Sequence, residues 1–197
     1  MTRGMNCTTQ YNVNYGDVTT VAKVRKYSVG SSPYKYALLG TKTSASSGVF
    51  HLAAMAPYDQ VFQATTSTSA AHGPANGVYW YFYNGKSMGF APASTVQLGT
   101  ADVYNTGGDH KRVSWHLDSR SGGYRDGKYR GNGKTSSHFK VVLYCNPRRA
   151  TAGTQRRAAP ARTHHDSNYY PLLDPAQTAK GPRRTFGTCI TGDNVCQ

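Results

Sequence analysis

The sequence predicts an all-β protein, mainly antiparallel, folded as a β-sandwich or small barrel. Three observations predict it. First, the chain contains no glutamate: all nine acidic residues are aspartate. Glutamate favours helix interiors, whereas aspartate competes with helical backbone bonds and prefers caps and turns. Second, the 15 tyrosines, with frequent Thr and Val, suit a pleated, half-buried surface, and 21 glycines and nine prolines supply breaks. Third, short apolar or alternating segments recur at roughly 8–12-residue spacing with turn signals between them.

The elements follow in order. Residues 10–29 read as one or two strands around Val18, Val21 and Val24, with a short helical turn at 17–24 as the alternative. A turn at 30–33 leads into a strand at 34–40 that ends at Gly40, and 41–48 is a polar loop. Val49, Phe50, Leu52 and Met55 resemble a helical face, so a short helix is expected near 49–56, limited by Pro57. Residues 69–77 form a loop. The run Val78–Tyr83 meets Asn84-Gly85, the favoured pair for a type I′ turn, and 86–92 returns as its hairpin partner. Two further strands are expected within 95–118. In the second, Val113, Trp115 and Leu117 face the core and Ser114, His116 and Asp118 face solvent. Residues 121–137 form a long Gly-rich basic loop or loose hairpin, and 138–145 is the last strand.

The expected domain therefore spans 1–147. From 148 to 197 the chain is basic, proline-containing and without a sustained amphipathic period, so a largely disordered tail is expected. Of its four cysteines, Cys7 and Cys145 sit at the two ends of the domain. Their pairing would clamp those ends, and Cys189–Cys196 would close a small loop within the tail. Disulfides imply an oxidising compartment. A secreted or extracellular location is thus expected, although MTRGMNCTTQ lacks the apolar segment of a signal peptide. With reduced thiols the alternative is cytoplasmic. No run of apolar residues is long enough for a transmembrane helix.

The formal charge is +14, from 23 basic and nine acidic residues. The surplus is shared: 15 basic and six acidic residues lie at or before position 145, eight and three beyond it. Such a field attracts polyanions, whether sulfated or uronic glycans, nucleic acid or acidic lipid. The most informative segment is the loop SGGYRDGKYRGNGK. Its glycines allow close backbone approach, Arg125, Lys128, Arg130 and Lys134 can bind anions, and Tyr124 and Tyr129 can stack on a sugar or base. The tail adds Arg148, Arg149, Arg156, Arg157, Arg183 and Arg184 as salt-sensitive contacts. The aromatic run 79–83 is core on one face and offers either a stacking platform or an interface on the other.

Other chemistries find little support. Ser114, His116 and Asp118 share one strand face, but alternate residues on a strand stand about 7 Å apart, too far for a triad. His164-His165-Asp166 lacks the converging ligands of a dedicated metal site. Asp102, Asp109, Asp118 and Asp126 lack calcium-loop spacing. The segment GNGKT has Lys128 where a P-loop needs its first glycine. Neither an enzyme, a cofactor nor a metal site is expected. The residues favour a non-enzymatic, adhesion- or lectin-like binding module for anionic or carbohydrate surfaces. The alternative is an intracellular or viral nucleic-acid-associated structural protein.

Overall fold

The computed structural model describes residues 2 and 4–148, except 68, 84, 106, 119–123 and 132–136. Among these residues the protein is a two-sheet antiparallel sandwich. The elements are β1 (Met5–Asn14), α1 (Val21–Val24), β2 (Tyr36–Lys42), β3 (Leu52–Pro57), α2 (Tyr58–Phe62), β4 (His72–Ala75), β5 (Val78–Tyr83), β6 (Ser87–Ala91), β7 (Val113–His116), β8 (Tyr124–Asp126), β9 (Tyr129–Gly131) and β10 (Phe139–Pro147). One sheet has the order β1-β10-β2-β3; the other runs β4 to β9 in chain order. No helix among the described residues is long and apolar enough to cross a membrane.

Cys7 and Cys145 are directly opposed in the β1–β10 register and joined by a disulfide. The clamp therefore acts within one sheet rather than between sheets. Cross-linking residues 138 positions apart contributes about 5 kcal/mol in the chain-entropy model.

Between the sheets lies one large aromatic core. Trp80, Phe82 and Phe90 from β5 and β6 and Trp115 from β7 meet Leu39, Ala54, Val142 and Tyr144 of the opposite sheet. Alternation along β5 points Tyr81 the other way, into a second cluster with Ala91, Val96 and Leu98. Residues 94–105 cover that outer face, using a 3₁₀ turn (Leu98–Thr100) and left-handed Ala101 and Asp102.

Four expectations need correction. The helix expected near 49–56 lies one segment later, at Tyr58–Phe62, because Leu52–Pro57 pairs residue for residue with β2. Alanines at 53, 54 and 56 suit close packing: a Cβ on Gly40 would lie 2.8 Å from Ala53 Cβ. The outward face of β7 is buried, not solvated. Ser114 donates to the Ala101 carbonyl, and His116 Nδ1 lies 3.1 Å from the Lys86 carbonyl. Among the described residues, no second strand lies between β6 and β7. At the β5–β6 turn, Tyr83 pairs with Ser87, so three residues rather than two span the reversal. Gly85 takes φ +66 there, while Asn84 lies outside the described residues.

Two kinds of buried ionisable group set the alkaline behaviour. Lys140 of β10 is buried, donating to the Asp17 carbonyl at 2.5 Å and to Thr19 Oγ1 at 2.6 Å. Burial lowers its pKa to about 8, against the pull of Asp17 and with the push of Lys23. Above that pH the folded state has released a proton that the unfolded chain still holds, so stability rises with pH up to the unfolded lysine value of 10.5. Burial raises the Tyr15, Tyr81 and Tyr144 hydroxyls, which oppose this above their unfolded value of 10.0. Thermal melts are expected to show stability rising from about pH 8 to 10 and falling beyond, with Lys140→Met lacking the rise. A wild-type profile that falls throughout that interval contradicts this account of Lys140.

Candidate functional site

The β8–β9 hairpin carries the residues that the sequence singles out. Asp126 pairs with Tyr129 across a tight turn in which Gly127 takes φ +60 and donates its N–H to the Arg112 carbonyl at 2.8 Å. Only a residue tolerant of a left-handed conformation fits there. The hairpin divides the candidate ligand-binding residues. Lys128, Tyr129 and Arg130 are exposed, Tyr129 by 40%. Tyr124 and Arg125 are buried.

Arg125 is the main correction to the expected finger. It is 0% exposed. Its Nε donates to the Gly127 carbonyl and its Nη1 to the Asp102 carbonyl, both at 2.9 Å, and Nη1 also bonds the Asn105 carbonyl. Beside it, buried Asp102 pairs with buried Arg112 and accepts the Gln97 N–H at 3.0 Å. Arg125 thus fastens the 97–112 segment over the outer face of the sheet and is unavailable to an external anion. Tyr124 packs 4.5 Å from the Tyr15 ring, and its hydroxyl lies 3.4 Å from that of Tyr129. Arg148 is exposed and bonds the Met5 carbonyl at 3.2 Å. Lys134, Arg149, Arg156, Arg157, Arg183, Arg184, Cys189 and Cys196 lie outside the described residues.

At the base of the hairpin the two sheets meet through a cluster that sequence spacing does not reveal. Asp126 Oδ2 lies 2.9 Å from His51 Nδ1 and 3.7 Å from His138 Nε2. All three ligand atoms fall within 4.8 Å of one another. Strand order explains the convergence. Thr41, near the end of β2, pairs with Leu52 at the start of β3 on one side and with Lys140 near the start of β10 on the other. Each histidine immediately precedes one of those flanking strands, so both stand at the same end of the sheet. Asp126 reaches them from β8 of the opposite sheet.

The surroundings fix these groups. Thr41 Oγ1 donates to Asp126 Oδ1 at 2.6 Å. The His51 backbone N–H donates to the Thr41 carbonyl at 2.8 Å. His138 Nδ1 lies 3.0 Å from Ser137 Oγ, which leaves Nε2 for the cluster. Tyr129 stacks on the His138 ring at 4.2 Å with planes 12° apart, and Tyr15 meets it edge-on. Burial lowers the His138 pKa, with His51 adding to this and Asp126 opposing it. Its neutral form is therefore favoured. A cavity of about 340 Å³ opens beside the cluster, lined by His51, Leu52, His110, Asp126, Lys128 and Tyr129.

Sequence spacing gives no metal role to Asp126, which lacks calcium-loop spacing, and singles out neither His51 nor His138. They lie 75 and 12 residues from it, with no local motif. The legible signal is that each histidine abuts a strand start, and it becomes useful only once those strands are known to flank β2.

The remaining candidates disperse. Ser114 donates to the Ala101 carbonyl and His116 Nδ1 lies beside the Lys86 carbonyl, so each is held by a different backbone segment. The aromatic run offers no open platform, since Trp80, Tyr81 and Phe82 are buried and Tyr79 and Tyr83 pack against the second cluster. Comparison with known protein families, with curated proteins and with solved structures returns no match to this chain.

Arg125→Ala is expected to cost about 3 kcal/mol or more, because it strips a buried cation from the carbonyls it holds. Lys128→Ala and Arg130→Ala are expected to change stability by less than about 0.5 kcal/mol. Chemical denaturation compares them; an Arg125→Ala domain as stable as Lys128→Ala would place Arg125 outside the structural network.

Proposed function

We propose that the protein is a non-enzymatic binding module for anionic groups on carbohydrate or another polyanion, and that it works in an oxidising, extracellular setting. One observation carries this reading. The β8–β9 hairpin exposes Lys128, Tyr129 and Arg130, and the first two line a cavity whose wall also carries His51 and His110, while Arg130 follows on the opposite face of β9. Lys128 and Arg130 supply charge-assisted bonds to sulfate or carboxylate. Tyr129 supplies a flat face for a sugar ring, held in place by its stack on His138.

The +14 charge supports the same reading, since it steers polyanions toward the surface from a distance. The Cys7–Cys145 bond supports an oxidising compartment. That bond also weighs against the alternative of an intracellular nucleic-acid-associated protein, which the arginine pairs of the tail would otherwise favour. The contact set here is narrower than composition alone suggests: Tyr124 and Arg125 belong to the scaffold, and the hairpin's contacts come from 128, 129 and 130.

Heparin chromatography of the full chain tests this. Lys128→Ala/Tyr129→Ala/Arg130→Ala is expected to elute at lower salt. Its log affinity should depend less steeply on log salt, by about one unit for each cation removed. Elution of the triple variant with wild-type protein would remove the hairpin from the binding surface.

A further inference from the structure

We propose that His51, Asp126 and His138 form a binding site for a divalent transition metal, with Zn²⁺ the best-fitting ion, whose remaining coordination position faces the cavity beside the β8–β9 hairpin. Four observations support it independently of any anionic ligand.

The first is donor chemistry. Two imidazole nitrogens and one carboxylate oxygen are borderline ligands that suit Zn²⁺, and three protein ligands with one open position are a familiar zinc arrangement. The second is spacing. Tetrahedral ligands at about 2.0–2.1 Å from zinc stand roughly 3.3 Å apart. The separations from Asp126 Oδ2, 2.9 Å and 3.7 Å, bracket that value, and the two imidazole nitrogens, within 4.8 Å of each other, draw together by rotation of the exposed His51 ring as the ion binds.

The third is an unmet electrostatic need. Asp126 is 0% exposed, and its Oδ2 has no hydrogen-bond donor aimed at it. His51 Nδ1 is close, but its N–H is not aligned with that oxygen. A buried carboxylate oxygen facing ring nitrogens without a bridging proton is destabilising. A cation between them resolves this. The fourth is the supporting shell. The Thr41 hydroxyl on Asp126 Oδ1 and the Ser137 hydroxyl beside His138 Nδ1 orient the ligands as outer partners do in metal centres.

The side chain of His51 is 44% exposed and that of His138 is 16%, while Asp126 is sealed. The metal would therefore enter from the His51 side, where His51 and Asp126 also line the cavity. Because Asp126 belongs to one sheet and the histidines abut strands of the other, a bound ion would cross-link the sandwich at this end.

Isothermal titration of the metal-stripped full chain with Zn²⁺ tests the site, alongside the visible absorption of the Co²⁺-substituted protein. Wild-type protein is expected to bind at this site, to give the intense visible band of tetrahedral Co²⁺ and to melt at a higher temperature with Zn²⁺. His51→Ala, at an exposed position where folding is not at stake, should lose affinity beyond the ~10–100-fold that removal of an outer partner costs. Thr41→Val should lose an amount within that range. His164→Ala/His165→Ala removes the competing tail histidines, and His72→Gln removes one at the far edge of the β4–β9 sheet; both should bind as wild type. The proposal is overturned if His51→Ala binds Zn²⁺ like wild type, or if only the tail variant loses binding. Since no polyanion is present, either failure leaves the hairpin reading standing.

Discussion

The arrangement depends on one buried carboxylate. Asp126 sits at the seam between two sheets, sealed from water, with Thr41 on one oxygen and two histidines around the other. A charge there must be compensated, and burial makes every partner count for more than it would in water. The turn that presents Asp126 also presents Lys128 and Tyr129 to solvent. The hairpin's outer face and its buried root are thus parts of one device. Tyr129 links them, stacking on His138 while 40% exposed to solvent.

A second buried network performs a different task. Asp102, Arg112 and Arg125 hold the 97–112 segment against the outer face of the β4–β9 sheet. With that cover in place, alternate residues of β5 and β7 are buried on both sides, and the β4–β9 sheet acquires a third layer. Positive charge in this protein therefore divides by depth. Among the described residues, Arg125 and Lys140 are buried and bonded to backbone carbonyls, whereas Lys128 and Arg130 lie at the surface. Net charge alone does not distinguish the two populations.

That division explains what the sequence revealed and what it hid. The antiparallel sandwich, the β5–β6 hairpin and the final strand were legible because period-2 alternation and turn residues are local signals. The Cys7–Cys145 pairing was legible because cysteine is absent between the two positions. The strand at Leu52–Pro57 was not, since its alanines fit a helical face as well as a strand pressed against β2. Burial of Ser114, His116 and Arg125 was hidden because alternation reports two faces without saying whether a distant loop covers the second. The His51, Asp126 and His138 cluster was hidden for the same reason: strand order creates it, and strand order is long-range information.

A metal-bridged seam would give this domain a rigid floor beneath its basic hairpin, holding Tyr129 and Lys128 in register for a ligand. The most direct test is crystallographic: an anomalous difference map at the zinc edge from protein grown with Zn²⁺. The account predicts a peak about 2 Å from His51 Nδ1, Asp126 Oδ2 and His138 Nε2. Well-ordered density for all three side chains with no peak between them, or a peak only at other histidines, would contradict it.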